Sequence, residues 1–228
     1  MELQAFLVAL EQRIARYDLL CHPYYKAWTA GQLTRDDLRE YAADYYHHVA
    51  AFPAYLSALH TRLEDGEVRR AVLRNLCQEE IDGRPHSELW LDFAEGMGAD
   101  RDEVRKREPL AEVRDVIAKF RGVAREGSTA EALAAFYAYE SQVPRVATEK
   151  NQGLRDVYGA DEHTRGYFTL HATADIYHSN VWKQQLRKRI EVAPETAEQA
   201  LEAAESAARA LWTALDGIEA RRTAAVAA

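Results

Sequence analysis

The sequence contains little of what marks several large classes of protein. Its two cysteines, Cys21 and Cys77, are too few and too widely separated for a disulfide framework or a cysteine-based metal site, which favours a reduced cytoplasmic setting. It has no long apolar run, and residues 1–20 mix charged with apolar side chains, so we expect neither a signal peptide nor a membrane span. The net charge is −8 and no segment concentrates lysine and arginine, so we do not expect nucleic acid as a partner.

The alternation typical of β-strands is also almost absent, whereas helical periodicity runs through most of the chain. With 228 residues, 47% of them hydrophobic, one domain over residues 1–228 can build its own core. Capping signals and prolines divide the pattern, with a bend expected at Pro53. The segments that we expect to be helical are 2–19, 34–63, 66–80, 85–96, 109–125, 128–147, 161–190 and 195–222. The sequence therefore predicts an all-α bundle of seven to eight helices.

The segment HATADIYH, residues 171–178, places two histidines and an aspartate on one side of a predicted helix. Each helical residue advances about 100°, so His171, Asp175 and His178 fall within roughly 60° of one another. Tyr167 and Trp182 continue the same stripe, which makes this the apolar face. A carboxylate buried there costs on the order of several kcal/mol unless it has a partner. The three residues therefore form either a hydrogen-bonded structural trio or half of a metal site.

A second candidate pair lies in EEIDGRPH, residues 79–86. Glu79 and His86 are seven residues apart and share a face if one helix continues through both. Glu80 points away from that face and is expected on the surface. Asp82, four residues before His86, competes with Glu79 as a ligand. Pro85 weakens the argument, because an interior proline removes a backbone hydrogen bond and can kink the helix.

A third candidate, Glu140, takes a place in the apolar stripe of the predicted helix 128–147. Glutamate is rarely buried without a partner. Glu140 therefore either pairs with an arginine such as Arg145 or binds a cation.

Three carboxylates and three imidazoles from three helical regions make up this set, namely Glu79, His86, Glu140, His171, Asp175 and His178. Such ligands in the core of a bundle suit two iron or manganese ions. Two ions of charge +2 against three carboxylates leave one positive charge, with positions open for dioxygen. A structural zinc site would normally be a single closed shell of four ligands. We therefore predict a redox-active centre that holds Fe/Fe or Fe/Mn.

Tyrosine outnumbers phenylalanine by 12 to 6, the reverse of what a purely apolar core favours. Buried tyrosines usually donate one hydrogen bond while they fill space, and this is the default interpretation here. Beside an oxidising metal they can also carry a radical or be oxidised. Lys150, which follows the Glu140 segment, is expected at the surface on composition alone.

The ligand set, in EEIDGRPHSELW, YAYESQVPR and HATADIYH, resembles that of the haem-oxygenase-like di-metal oxidases, the superfamily that includes the TenA and PqqC proteins. The resemblance covers essentially the whole chain. Within the superfamily, the chain is most similar to the chlamydial "protein associating with death domains" and its bacterial homologues of folate metabolism. Five further residues carry this closer resemblance, namely Tyr25, Tyr41, Tyr139, Lys150 and Tyr167.

The resemblance implies a cytoplasmic oxidoreductase, an oxygen-dependent enzyme that forms 4-aminobenzoate and needs a reductant. Its ring would come from the side chain of Tyr25, and Lys150 would supply the amine, so that each chain turns over once. Tyr41, Tyr139 and Tyr167 would be relays or pocket residues. The resemblance also implies a homodimer.

Other functions stay open at this point. A di-iron oxidase of an external amino acid or fatty acid should have a long apolar tunnel. A protein-interaction module of the death-domain type would not need the ligands. A cofactor-free oxidase like PqqC or a thiaminase like TenA would not need all six, and the thiaminase would need a nucleophilic cysteine.

Overall fold

Helical periodicity is realised throughout residues 1–226, the part of the chain that our computed structural model describes. Every regular element in this range is helical. Two 3₁₀ turns span Leu19–Cys21 and Pro194–Thr196. The α-helices are α1 Leu3–Ala15, α2 Pro23–Thr29, α3 Arg35–Arg62, α4 Glu67–Glu80, α5 His86–Gly96, α6 Arg101–Lys106, α7 Ala111–Glu126, α8 Thr129–Glu140, α9 Val143–Asp156, α10 Gly166–Val192 and α11 Ala197–Val226.

The predicted all-α class is confirmed, but the helices in residues 1–226 outnumber the predicted seven to eight. Helices α2 and α6 have 7 and 6 residues, too few for a periodic pattern to indicate them. The predicted helix 128–147 divides at Ser141 and Gln142 into α8 and α9. Pro144 then lies in the first turn of α9, where its missing N–H costs no hydrogen bond.

Capping boxes begin α3 and α8, at the positions that the sequence predicts. The Thr34 hydroxyl accepts a hydrogen bond from the Asp37 N–H at 3.1 Å, and the Asp37 carboxylate accepts one from the Thr34 N–H at 2.7 Å. Ser128 and Glu131 make the same reciprocal pair. Each box satisfies two backbone donors that the first turn of a helix leaves free.

One other prediction about a helix limit was less accurate. Helix α10 begins at Gly166 and not at Asp161. The Asp161 carboxylate accepts a hydrogen bond from the Thr164 N–H at 2.8 Å, so it caps a separate turn before α10. Helix α3 is one element of 28 residues, in agreement with the predicted segment 34–63, and Pro53 lies inside it. The bend expected at Pro53 stays a prediction.

Helix α8 lies at the centre of the molecule, since ten of its 12 residues are buried. It packs against α10 and α11, while α3 packs against α4, α5 and α7. Alanines on α8 and α11 let these two helices approach closely, among them the fully buried Ala134 and Ala208. Tyr139 and Glu140, at the end of α8, are thereby placed in the interior. No helix in the described range has the length and apolar composition needed to cross a bilayer.

Close packing at α11 predicts that added volume is destabilising. In Ala208→Leu, the extra methyl groups have no room, and we expect the free energy of unfolding to fall by about 1–3 kcal/mol. Urea denaturation followed by circular dichroism measures this. Ala220→Leu, at an exposed position of the same helix, is the control and should change stability by less than about 0.5 kcal/mol. Equal effects of the two substitutions would contradict the packing described for α11.

Candidate metal centre

One group of three potential ligands forms where α4 ends and α5 begins. Glu79 lies in the last turn of α4, His86 is the first residue of α5, and His171 reaches them from α10. Glu79 Oε2 lies 2.9 Å from His86 Nδ1, and the rings of His86 and His171 are 4.5 Å apart. All three side chains are buried. Each offers one ligand atom within 4.8 Å of the others, so one ion could contact all three.

Glu79 and His86 lie close together, as predicted, but not because they share a face of one helix. No continuous helix joins them, because α4 ends at Glu80 and Pro85 precedes the first residue of α5. A turn between the helices brings the two side chains together. Asp82, the competing candidate, is exposed in this turn, and Glu80 is exposed as expected.

The turn is fastened to α5 by a buried carboxylate. Asp92 on α5 accepts two hydrogen bonds from the Arg84 guanidinium, one of them 3.0 Å long. It also accepts one from Arg101 at 2.8 Å. Paired charges of this kind hold the backbone beside Pro85 and thereby place His86.

A second group forms between α8 and α10, from Glu140, Asp175 and His178. His178 Nδ1 lies 3.2 Å from Asp175 Oδ1 and 3.7 Å from Glu140 Oε1. The three side chains are buried, and their ligand atoms also lie within 4.8 Å of one another. Arg145, the alternative partner of Glu140, is 63% exposed and pairs with Asp18 instead.

Neutral donors surround the second group. Asn75 Nδ2 donates to Glu140 Oε1 at 3.0 Å, and Trp182 Nε1 donates to Glu140 Oε2. His178 Nε2 lies 2.6 Å from Gln78 Oε1, and since an amide oxygen can only accept, Nε2 carries the hydrogen. His178 Nδ1 is then free to face the two carboxylates. Such outer contacts orient metal ligands.

The HATADIYH residues share one face of α10, as predicted, but they divide between the two groups. His171 joins Glu79 and His86, while Asp175 and His178 join Glu140. His171 Nδ1 donates to the Tyr167 carbonyl at 2.8 Å, which leaves Nε2 available to a metal. The structural-trio alternative is not realised, because His171 has its hydrogen bond with the backbone.

The electrostatics of both groups suit bound cations. Burial raises the pKa of Glu140 to about 8, and burial together with the charge of Glu79 raises the pKa of Asp175 well above its usual value. Burial lowers the pKa of His86, but the contact with Glu79 and the charge of Asp175 outweigh it and raise that pKa overall. No ion pair within the described residues joins these carboxylates to lysine or arginine. The donor set therefore fits divalent metal ions, which would compensate the buried charges.

The five residues that the closer resemblance singles out line one cavity of about 30 Å³, here called the tyrosine–lysine chamber. Its polar lining residues are Tyr25, Tyr41, Tyr45, Tyr139, Lys150 and Tyr167. Lys150 is only 4% exposed, so the expectation from composition was wrong. Its Nζ donates to Tyr25 OH at 2.7 Å and to Tyr41 OH, and the two hydroxyls are 3.0 Å apart.

The chamber adjoins the first ligand group through Tyr167. The Tyr167 ring stacks on the His171 ring, with centroids 3.9 Å apart and planes 23° apart. Burial raises the pKa of Tyr25 and Tyr41 and lowers that of Lys150 well below its usual value. The phenols are therefore protonated at neutral pH, and burial favours the uncharged form of the amine.

Several residues of the site had no separate role in the sequence prediction. Trp182 lies on the HATADIYH stripe, and Asn75 lies four residues before Glu79, so helical spacing could have indicated both. Gln78 gave no such signal, because it does not lie on the stripe of Glu79.

His48 is a buried imidazole beside the chamber and outside both ligand groups. Its ring centroid is 5.0 Å from that of Tyr139 and 5.4 Å from that of Tyr45. Neither ring nitrogen has a hydrogen-bond partner within residues 1–226. Burial accordingly lowers the pKa of His48 to about 3.

A helical bundle with two buried groups of carboxylates and imidazoles has the architecture of a non-haem metal oxidoreductase. The chain belongs to the iron-containing redox enzyme family, whose model matches residues 39–212. The predicted resemblance is thereby confirmed at the level of the family.

Similarity to individual proteins supports this family assignment. The chain is 38% identical to a 4-aminobenzoate synthase of Nitrosomonas europaea, over 96% of this chain and 92% of the relative. It is 36% identical to a 4-aminobenzoate synthase of Chlamydia pneumoniae, over 92% and 93%. A haem-oxygenase-like domain from Shewanella denitrificans superposes with a TM-score of 0.82, covering 95% of this chain and 93% of that domain at 18% identity. This last likeness shows the fold.

The buried imidazole of His48 predicts a loss of stability in acid. Below pH 6.5 the unfolded chain takes up a proton that the folded chain binds only near pH 3, so stability falls as pH falls through this window. His48→Phe removes the proton uptake. We expect the variant to gain about 1.4 kcal/mol over the wild type for each pH unit below 6.5.

Urea denaturation at pH 6.5, 5.5 and 4.5 measures the difference. His163→Phe, which replaces an imidazole that is 62% exposed, is the control and should follow the wild type. A constant difference between His48→Phe and the wild type across this range would contradict the burial described here.

Proposed function

We propose that this chain is an oxygen-dependent di-metal oxidase that forms 4-aminobenzoate for folate biosynthesis from its own residues. The observation that carries the proposal is the Lys150 amine, which lies 2.7 Å from the Tyr25 hydroxyl inside a chamber that adjoins a ligand group. The relatives named 4-aminobenzoate synthase support the product.

Two metal ions would be held by the two groups, one by Glu79, His86 and His171 and the other by Glu140, Asp175 and His178. Iron in both positions, or iron with manganese, suits these ligands. When bound, the ions supply the oxidising chemistry, with dioxygen as oxidant and an external reductant. The proposed homodimer and cytoplasmic setting stay predictions.

The atoms of the product would come from two side chains of the chamber. The phenolic ring and Cβ of Tyr25 would supply the carbon skeleton, with the bond between Cα and Cβ broken and Cβ oxidised to the carboxylate. The nitrogen of Lys150 would replace the phenolic oxygen, which would leave as water. The bond between Nζ and Cε of Lys150 would then be broken by hydrolysis, leaving Cε as an aldehyde, and a hydrogen would take the place of Cβ on Cα of Tyr25. Dioxygen, with the external reductant, would take up the electrons of both oxidations. Burial lowers the pKa of the Lys150 amine and so favours the uncharged form, whose lone pair this step needs.

Tyr25 and Tyr41 hold the amine in place. Both hydroxyls accept hydrogen bonds from Nζ, and Tyr41 also contacts Tyr25 directly. Tyr139 and Tyr167 complete the lining, with Tyr167 between the chamber and His171. These positions suit roles as relays or pocket residues.

The size of the chamber argues against the alternative enzyme. A volume of about 30 Å³ has room for about one water molecule, whereas ligand pockets usually measure about 300–1,000 Å³. An external amino acid or fatty acid would not fit. A protein-interaction module would have no use for six buried candidate ligands, and no surface feature within residues 1–226 favours that function.

Removing either proposed donor should abolish product formation. We expect Tyr25→Phe and Lys150→Arg to fail to rescue a 4-aminobenzoate auxotroph, while the metal content stays that of the wild type, because neither residue is a ligand. Tyr177→Phe, at a half-exposed position outside the chamber, should rescue normally. Normal rescue by Tyr25→Phe or Lys150→Arg would remove the scheme in which the chain consumes itself.

Metal analysis tests the two groups. After anaerobic loading we expect about two metal ions per chain in the wild type and about one in His86→Ala, since a single group loses a ligand. His163→Ala, which removes a largely exposed imidazole, should retain the wild-type content. Fewer than one metal ion per wild-type chain would contradict the proposed di-metal centre.

A further inference from the structure

Lys150 is enclosed by more than the two phenols that contact its amine. Four aromatic rings surround Nζ, with centroids 3.9 Å away for Tyr25, 4.5 Å for Tyr41, 5.3 Å for Trp28 and 5.7 Å for Phe168. Trp28 has no part in the proposed chemistry. Its side chain is nevertheless one of the largest fully buried groups in the molecule.

Trp28 can occupy this place because α9 carries a glycine there. Gly153 follows Lys150 by three residues, about one turn of α9. A Cβ at Gly153 would lie 2.8 Å from Trp28 Nε1 and 3.0 Å from Trp28 Cδ1, closer than such atoms approach in proteins. The indole therefore packs directly on the α9 backbone beside Lys150.

No hydrogen bond explains this placement. Trp28 Nε1 is buried and has no partner within the described residues, although an unsatisfied indole N–H is unfavourable. The ring packs instead among Tyr41, Phe93 and Phe168. The indole therefore acts in this place through its packing and not through a hydrogen bond.

Helix α2 connects Trp28 to the reacting pair. Tyr25 and Trp28 are three residues apart on this short helix, so they project from the same side. One helix thus supplies both a phenol that contacts the amine and an indole that covers it. Displacing the indole would admit water next to Lys150.

We infer that Trp28, seated on Gly153, is a positioning residue that packs beside the Lys150 side chain, excludes water there and keeps the amine unprotonated beside Tyr25. Burial is the cause that lowers the pKa of Lys150. The titratable groups that face the amine are the Tyr25 and Tyr41 phenols, and no carboxylate of the described residues pairs with it. Water beside the amine would stabilise its charged form and raise its pKa.

This inference deepens the proposed function, on which it rests for the use of the amine, because nitrogen forms a new bond through its lone pair. The protonation state itself can be measured without any activity. Lys150 is one of six lysines in the chain, so its signals can be resolved when lysine alone carries ¹³C and ¹⁵N.

The experiment is an NMR titration of Lys150 in the full chain, loaded with diamagnetic Zn²⁺ to avoid broadening by iron. Lys150→Arg assigns the signal. In the wild type we expect an uncharged amine at pH 8. In Gly153→Ala, the new Cβ displaces Trp28, and the titration midpoint should rise by at least about one pH unit toward the usual value near 10.5.

Gly122→Ala is the matched control, because Gly122 also lies inside a helix but a Cβ there meets nothing within 4 Å. Its Lys150 midpoint should equal that of the wild type. Trp28→Leu is a second test that leaves α9 untouched, and it should raise the midpoint as Gly153→Ala does. An unchanged midpoint in both variants, or a charged Lys150 in the wild type at pH 8, would overturn the inference.

Rescue of the 4-aminobenzoate auxotroph separates this inference from the proposed function. A raised midpoint with lost rescue supports both. A raised midpoint with full rescue supports the exclusion of water by Trp28 but contradicts the use of an uncharged Lys150 amine.

Discussion

Three carboxylates are buried without a lysine or arginine among residues 1–226 to balance them, and the rest of the site follows from that constraint. Glu79, Glu140 and Asp175 are surrounded by imidazoles, an amide and an indole, which are neutral or weakly basic donors. Such donors orient a carboxylate but do not neutralise it. Without metal, protons neutralise these carboxylates. The raised pKa of Glu140 and Asp175 reflects the free-energy cost of burying their charged forms. Divalent ions would replace those protons.

The fold meets this constraint by placing ligands at helix ends and on one long stripe. Glu140 is the last residue of α8, and Glu79 and His86 flank the break between α4 and α5. Only α10 contributes from its middle, and its stripe serves both groups. Helix ends can be set independently by turns and caps, so ligands from several segments converge without distorting any helix.

The sequence indicated the candidate ligands better than their arrangement. Glu140 could be recognised from the sequence because burying a glutamate in an apolar stripe costs free energy. The structure confirms that its side chain is buried. The division of HATADIYH between two groups depends on which helices face α10, which periodicity does not contain. The closeness of Glu79 and His86 comes from a turn that Pro85 helps to make. Lys150 carried no local signal, because a single lysine on an amphipathic helix is normally exposed, and only the resemblance singled it out.

Burial shifts the pKa of the groups on the two sides of Tyr167 in opposite directions. Burial raises the pKa of carboxylates and lowers that of an amine, so both the ligand groups and Lys150 tend toward neutrality without metal. Metal binding would ionise the ligands and leave the amine and phenols as they are. The proposed function needs this difference between the ligand groups and Lys150, because the metal centre would become charged while the amine keeps its lone pair. A chain that consumes its own tyrosine also needs no room for an external substrate, so a chamber of about 30 Å³ is sufficient.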